Sequence, residues 1–163
     1  MTMFEKTLSR DGQLVYKSVG TSMLPLIRSG KDLLVIVPSN GHLRKYDIPL
    51  YRRDDGRYVL HRVLKVRKED YVICGDNRYS REYGISDRHV IGVLSSIIRD
   101  GKEYPLSGWR YRLYLLLWCD FFYVRAAILW FKAKIVRRCV RIIRHLLLGI
   151  RQLFVSTANR HRP

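Results

Sequence analysis

The sequence predicts a mainly β domain over residues 1–108, followed by an α-helical, amphipathic and basic tail over residues 109–163. Hydrophobic residues alternate with polar ones along several short runs of the first part, as they do when successive side chains point to opposite faces of a strand. Asp100-Gly101 lies between two such runs and is a strong two-residue hairpin signal, because both turn positions favour positive φ. Composition then shifts after Ser107-Gly108-Trp109. Residues 109–163 hold twelve Lys or Arg against the single acid Asp120, a net +11 that leaves +6 for the first 108 residues.

Taken in order, Gln13 to Val19 alternates as a strand that feeds a turn at Ser22. Leu24 to Arg28 reads as a helical turn, since Pro25 suits a first helical position by its fixed φ and missing donor. Asp32 to Val37 is a short apolar strand, and Tyr46-Asp47-Ile48-Pro49-Leu50-Tyr51 is another. Arg57 to Val66 alternates through His61, placing Val59, His61 and Val63 on one face. Arg67-Lys68-Glu69-Asp70 turns the chain into Tyr71 to Cys74, and a second helical turn is expected near Ser80 to Tyr83. Ile91 to Arg99 and Lys102 to Tyr104 form the hairpin around Asp100-Gly101. At 163 residues and 47% hydrophobic composition, the chain is long and apolar enough to bury a core.

Three segments carry chemistry. Gly20-Thr21-Ser22-Met23-Leu24-Pro25 offers a serine at a turn, Leu60-His61-Arg62-Val63 a histidine in a strand, and Gly75-Asp76-Asn77 a carboxylate in a turn. A serine hydroxyl is a poor nucleophile until a base takes its proton, and a third group commonly orients that base. Each segment also has a purely structural reading: a loop serine before a proline, a half-buried strand histidine, an ordinary Gly-Asp-Asn turn. Their joint order and spacing favour the chemical one.

In that order the segments resemble signal peptidase I, a family of serine peptidases, in the branch where a histidine replaces the lysine base. Ser22, Met23 and Pro25 match its Ser-Met-x-Pro motif, His61-Arg62 its strand motif, and Gly75-Asp76-Asn77 its Gly-Asp-Asn motif. The likeness covers about residues 14–98 and is strongest to the compact peptidases of this clan in anaerobic Gram-positive bacteria. It implies a signal-peptidase or LexA-like β fold, an endopeptidase that cleaves a signal or leader peptide, Ser22 as nucleophile, His61 as general base and Asp87 as orienting acid, with Asp76 the alternative. No motif points to a nucleotide or metal cofactor, and none is expected. Two positions depart from the pattern. Gly20 lacks the hydroxyl that the family often contributes to the oxyanion hole, a role left to Thr21 or a backbone amide. Lys65, four residues from His61 and so about 13 Å along the strand, cannot replace it as base.

Other classes find less support. Cys74, Cys119 and Cys139 are odd in number and lack paired metal spacing. No Walker A, dinucleotide-binding or His-Glu-x-x-His sequence is present. Net charge +17 and eleven tyrosines suit phosphate and base contacts, but no nucleic-acid-binding signature accompanies them, so no nucleic acid is expected. A catalytically weak relative that binds peptide in the same groove stays open, given Gly20.

In the tail, residues 113–131 approach the length of a membrane span but include Asp120 and Arg125, each costing ~2.5–3.5 kcal/mol near a bilayer centre. Residues 135–154 place Arg137, Arg141, Arg144 and Arg151 on one helical face. Ile135, Cys139, Ile142, Leu146, Ile150 and Leu153 lie on the other, a pattern expected to rest on anionic lipid, with Trp118 and Trp130 suited to the same interface. Residues 1–20 hold no apolar run of anchor length, so the chain is expected at the cytoplasmic face of a bacterial membrane.

Overall fold

The computed structural model describes residues 3–138, except Ser18 and Asn40, together with Arg141. Two compact units divide at Ala126/Ala127. The first is β-rich. Its element order is α1 (Met3–Asp11), β1 (Leu14–Lys17), β2 (Leu33–Val37), β3 (Pro49–Arg52), β4 (Tyr58–Leu60), β5 (Arg62–Val66), β6 (Tyr71–Cys74), β7 (Glu82–Ile85), β8 (Val90–Arg99), β9 (Lys102–Pro105) and α2 (Gly108–Tyr114). A π-helical stretch, Leu115–Asp120, continues α2.

The larger sheet is antiparallel and curled, in the order β1-β2-β8-β3-β4, with β9 on the other end of β8. The ten-residue β8 serves as its spine: β2 lies along one edge, while β3 and then β9 share the other. The Asp100-Gly101 hairpin forms as expected, with φ of 50° and 76° at its two turn residues. The smaller sheet has the order β5-β6-β7. Strand alternation divides the larger sheet between two cores. Leu34, Ile36, Leu50, Leu60 and Leu94 pack with Leu8 of α1 and with Met23 and Ile27 on one side. Tyr51 and Val59 face the other way, where Val63, Tyr71, Ile73 and Ile85 of the smaller sheet meet them.

Several expectations change. The run Arg57 to Val66 is not one strand: β4 belongs to the larger sheet and β5 to the smaller, and the chain crosses between them at His61. Residues near Ser80 to Tyr83 are not helical. Glu82 and Ile85 pair with Ile73 and Tyr71, and that sheet pairing overrides local preference. Leu24 to Arg28 forms turns around a cis Leu24–Pro25 bond rather than a helix. It stops after the single Ile27 N–H to Met23 carbonyl bond because the Asp32 carboxylate captures the Arg28 amide. The N-terminal helix α1 was not expected, although Phe4 and Leu8 lie one turn apart and Glu5 and Arg10 suit its two ends.

The compact unit also runs past the expected boundary at residue 108. One face of α2 and its continuation carries Tyr111, Tyr114 and Trp118, with neighbouring rings near-parallel at 6.3 and 6.5 Å, and this ladder covers β5 and the Gly75-Asp76-Asn77 turn. Trp118 thus donates its indole N–H to the Asp76 carbonyl within the domain. Asp120 pairs with Lys45 and Tyr46, and Arg125 is buried. The second unit is helical through Arg138 and exposes Ile128, Trp130, Phe131, Ile135 and Val136. Among the described residues no single helix is long and apolar enough to cross a membrane. Most of the expected amphipathic stretch, residues 139, 140 and 142–154, lies outside the described residues.

Candidate active site

Ser22 follows β1 on a loop whose neighbours are anchored. Met23 and Ile27 are buried in the first core, and burial of side chains this size stabilises by roughly 1.5–3 kcal/mol each. The loop's far end is held by the fully buried Asp32, which accepts from the Arg28 amide, Arg28 Nε and Arg99 Nη2 at 2.8, 2.8 and 2.6 Å. Burial pushes the Asp32 carboxyl up, but these bonds outweigh it and hold it at about 2. At the serine itself, Asn77 donates its backbone N–H to the Ser22 carbonyl at 2.7 Å and its side-chain amide to the Thr21 carbonyl at 3.2 Å. The two carbonyls are thereby turned to the Gly-Asp-Asn turn. The Ser22 amide and hydroxyl donate to no protein acceptor among the described residues.

His61 sits where the chain leaves one sheet for the other, and its ring is buried. Nδ1 lies 2.8 Å from Glu82 Oε1. Glu82 comes from β7, where its pairing with Ile73 turns it to the same face as Val63 and His61. Tyr51 donates its hydroxyl to Glu82 Oε2 at 2.9 Å, Arg53 Nε donates to the same oxygen at 2.9 Å, and Arg53 Nη2 reaches Oε1 at 2.6 Å. Burial raises the Glu82 carboxyl, yet the bonds from His61, Arg53 and Tyr51 prevail and hold it at about 2. An ionised carboxylate only accepts, so Nδ1 carries the proton in this contact, which leaves Nε2 as the ring nitrogen able to accept one.

Gly75 brings the ring and the serine together. A Cβ there would lie 2.6 Å from the Ser22 carbonyl oxygen and 3.1 Å from His61 Cδ2, the ring carbon next to Nε2. The Gly75 backbone therefore lies between the Ser22 carbonyl and the imidazole edge, so close to both that only a residue without a side chain fits.

The two aspartates expected at the histidine lie elsewhere. Asp76 makes a fully buried bidentate pair with Arg62, at 2.8 and 2.7 Å, and accepts from the Tyr114 hydroxyl. Alternation explains this: Arg62 points to the face opposite His61 and carries Asp76 with it. Asp87 meets His42 at 2.6 Å and the Tyr71 hydroxyl, at the rim of a separate cleft of about 650 Å³ that includes Glu5 and Ser39 but neither Ser22 nor His61. The acid at the imidazole is Glu82, which sequence reasoning missed because the resemblance points to aspartates. The signal available was an acid in the short segment Glu82–Ile85 with the cation Arg53 to pair with it. Cys74 and Cys119 are no alternative nucleophiles, since burial pushes both thiols up to about 11. Among the described residues no group of His, Cys, Asp or Glu is arranged to hold a metal.

The chain matches no known protein family, no curated protein and no solved structure.

Proposed function

We propose that this protein is a serine endopeptidase of signal-peptidase type, with Ser22 as nucleophile, His61 as general base and Glu82 as the acid that orients it. The observation that carries the reading is the His61–Glu82 contact at Nδ1, combined with the approach of the ring's other edge to the Ser22 peptide across Gly75. In this mechanism Nε2 takes the Ser22 proton as Oγ attacks the scissile carbonyl, and the imidazolium that forms lies against the Glu82 carboxylate. The proton then passes to the leaving amine. The unengaged Ser22 amide is a donor for the oxyanion, while Gly20 adds no hydroxyl.

A peptide substrate suits the surroundings. Beside the same loop opens a cleft of about 480 Å³ bounded by Pro25, Leu26, Ile97, Tyr104 and Leu106, an apolar wall that fits a side chain near the cleaved bond. A signal or leader peptide remains the substrate class that the sequence resemblance implies. Gly20 favours a second reading, a weak or inactive relative that holds peptide in the same place.

A labelled phosphonate probe separates the two. Intact protein is expected to be labelled at Ser22, identified by mass spectrometry of the tryptic peptide. Ser22→Ala should take up none, and His61→Ala should take up label at least 10³-fold more slowly, the scale for loss of a triad member. An intact, folded protein that resists the probe at every pH would favour the peptide-binding reading.

A further inference from the structure

The outer face of the smaller sheet is built unlike the inner one. Glu82 points inward to His61, whereas Arg81 and Tyr83, its neighbours in the chain, line a cleft of about 380 Å³ on the other side. Lys45, Lys65 and Arg67 line the same cleft, against the single acid Asp120, which Lys45 and Tyr46 already engage. Lys65 has no acidic partner among the described residues, and Arg67 lies 5.0 Å over the Tyr83 ring, with Asp70 at 3.8 Å.

Behind this cleft the charge is less balanced still. Arg81 stacks on Phe122 at 4.3 Å, and its buried Nε has no hydrogen-bond partner. Arg125 is 4% exposed, stacks on the same ring at 5.0 Å, and leaves both Nε and Nη1 without a partner. Arg81 has only tyrosine hydroxyls, Tyr83 and Tyr123, and Arg125 only the Arg78 carbonyl for its Nη2 at 3.4 Å, so among the described residues neither cation around this ring meets a carboxylate and the charge behind the cleft is uncompensated.

The rim indicates which anion. The helical stretch that supplies Asp120 and Phe122 to the cleft also presents Leu113, Leu116, Leu117, Phe121 and Val124 to solvent, each 45–58% exposed. Isolated exposed apolar residues are ordinary, but five of them in the segment that also walls a cationic cleft suit an amphiphile. A nucleic acid or an acidic peptide would pair with the cations and leave the apolar side chains in water. A lipid satisfies both, with its phosphate among Lys65, Arg67 and Arg81 and the leucines at acyl-chain depth.

We propose that this face docks on a membrane surface and that the cleft takes the phosphate headgroup of an anionic phospholipid. The site is built from residues of the first unit. It does not depend on the peptidase reading, and the docked face is opposite the one that carries His61 and Glu82.

The test is co-sedimentation of the full-length chain with vesicles of phosphatidylcholine alone or mixed equally with phosphatidylglycerol, with melting curves to verify folding. The paired variant K65Q/R67Q should lower partitioning onto the anionic vesicles by roughly 30-fold at about 0.1 M salt, from ~1 kcal/mol per cation at the surface and ~1.4 kcal/mol per tenfold. The control K17Q/K31Q removes the same charge from exposed positions away from the cleft and should lower it only a few-fold, because charges beyond about 10 Å are screened. L116Q/L117Q should weaken binding to the same vesicles even in high salt. Equal losses in the cleft and control variants would overturn the site. So would inorganic phosphate that binds intact protein but not K65Q/R67Q while vesicle binding stays unchanged, because the cleft would then take the free ion and not the lipid.

Discussion

His61 and Arg62 are neighbours in the chain, each ends on a carboxylate, and the two pairs are built for opposite purposes. Arg62 and Asp76 are 0% and 1% exposed, bidentate, and roofed by Tyr111, Tyr114 and Trp118. His61 and Glu82 are 8% and 23% exposed, and among the described residues the imidazole has one nitrogen engaged and one not. The first pair is saturated. It joins the histidine strand to the Gly-Asp-Asn turn, and so fixes where the turn meets Ser22. The second keeps an open valence on the side where chemistry would occur. Within two residues, strand alternation sends one side chain into a closed ion pair and the next to a half-open one, the one the proposed mechanism uses.

The comparison can be broken most sharply at the open pair. Glu82→Gln keeps the shape but removes the charge that fixes the ring tautomer, and is expected to slow phosphonate labelling of Ser22 by roughly 10³–10⁴ while the protein stays folded. Labelling within a few-fold of the intact protein would take Glu82 out of the mechanism. At the closed pair the expectation reverses: Asp76→Ala leaves a buried guanidinium uncompensated and should cost about 3–5 kcal/mol of stability, read by urea denaturation. A midpoint close to that of the intact protein would show that Arg62 finds another partner.

Acid distinguishes the two further. Because the Glu82 pKa is held at about 2, below its ordinary 4.5, the stabilisation from its bonds is fully present above about pH 4.5 and is lost as pH falls through about 2. The stability gap between intact protein and Glu82→Gln should therefore close over that interval, by up to roughly 3 kcal/mol. A gap constant from pH 6 to pH 2 would contradict this. Gly75→Ala should come next, at about 1–3 kcal/mol of overpacking, with labelling reduced far more than stability because the new methyl separates Ser22 from His61. Tyr51→Phe is the mildest, removing one of the bonds to Glu82 for about 1 kcal/mol and a few-fold in labelling rate.

Strands with clear alternation or unambiguous turn residues were legible in the sequence. β2, β6 and the β8–β9 hairpin lie close to their expected positions. Two kinds of information were not legible. The first is sheet membership: nothing local in Tyr58 to Val66 marks His61 as the crossing point, because both strands alternate normally and the break follows from which neighbours they pair with. The second is the choice among acids. Asp76 and Asp87 stand in conspicuous turns, whereas Glu82 reaches the histidine through a short strand whose pairing with Ile73 is a long-range fact. The boundary at residue 108 marked a real change of composition but not of packing, since a helix with tyrosines and a tryptophan on one face and leucines on the other can cover a domain as well as rest on lipid.

The roof over Asp76 has a consequence for the order in which this protein becomes competent during synthesis. The turn that grips the Ser22 and Thr21 carbonyls through Asn77 is completed from above by the Tyr114 hydroxyl and the Trp118 indole. A nascent chain that has emerged only as far as the end of β9 already contains serine, histidine and glutamate but lacks the residues that close the turn. Ribosome-bound chains stalled before and after Trp118 should therefore differ in phosphonate uptake although both carry Ser22, His61 and Glu82, and under the proposed reading the site would stay idle beside its own ribosome until the segment Gly108–Asp120 has docked.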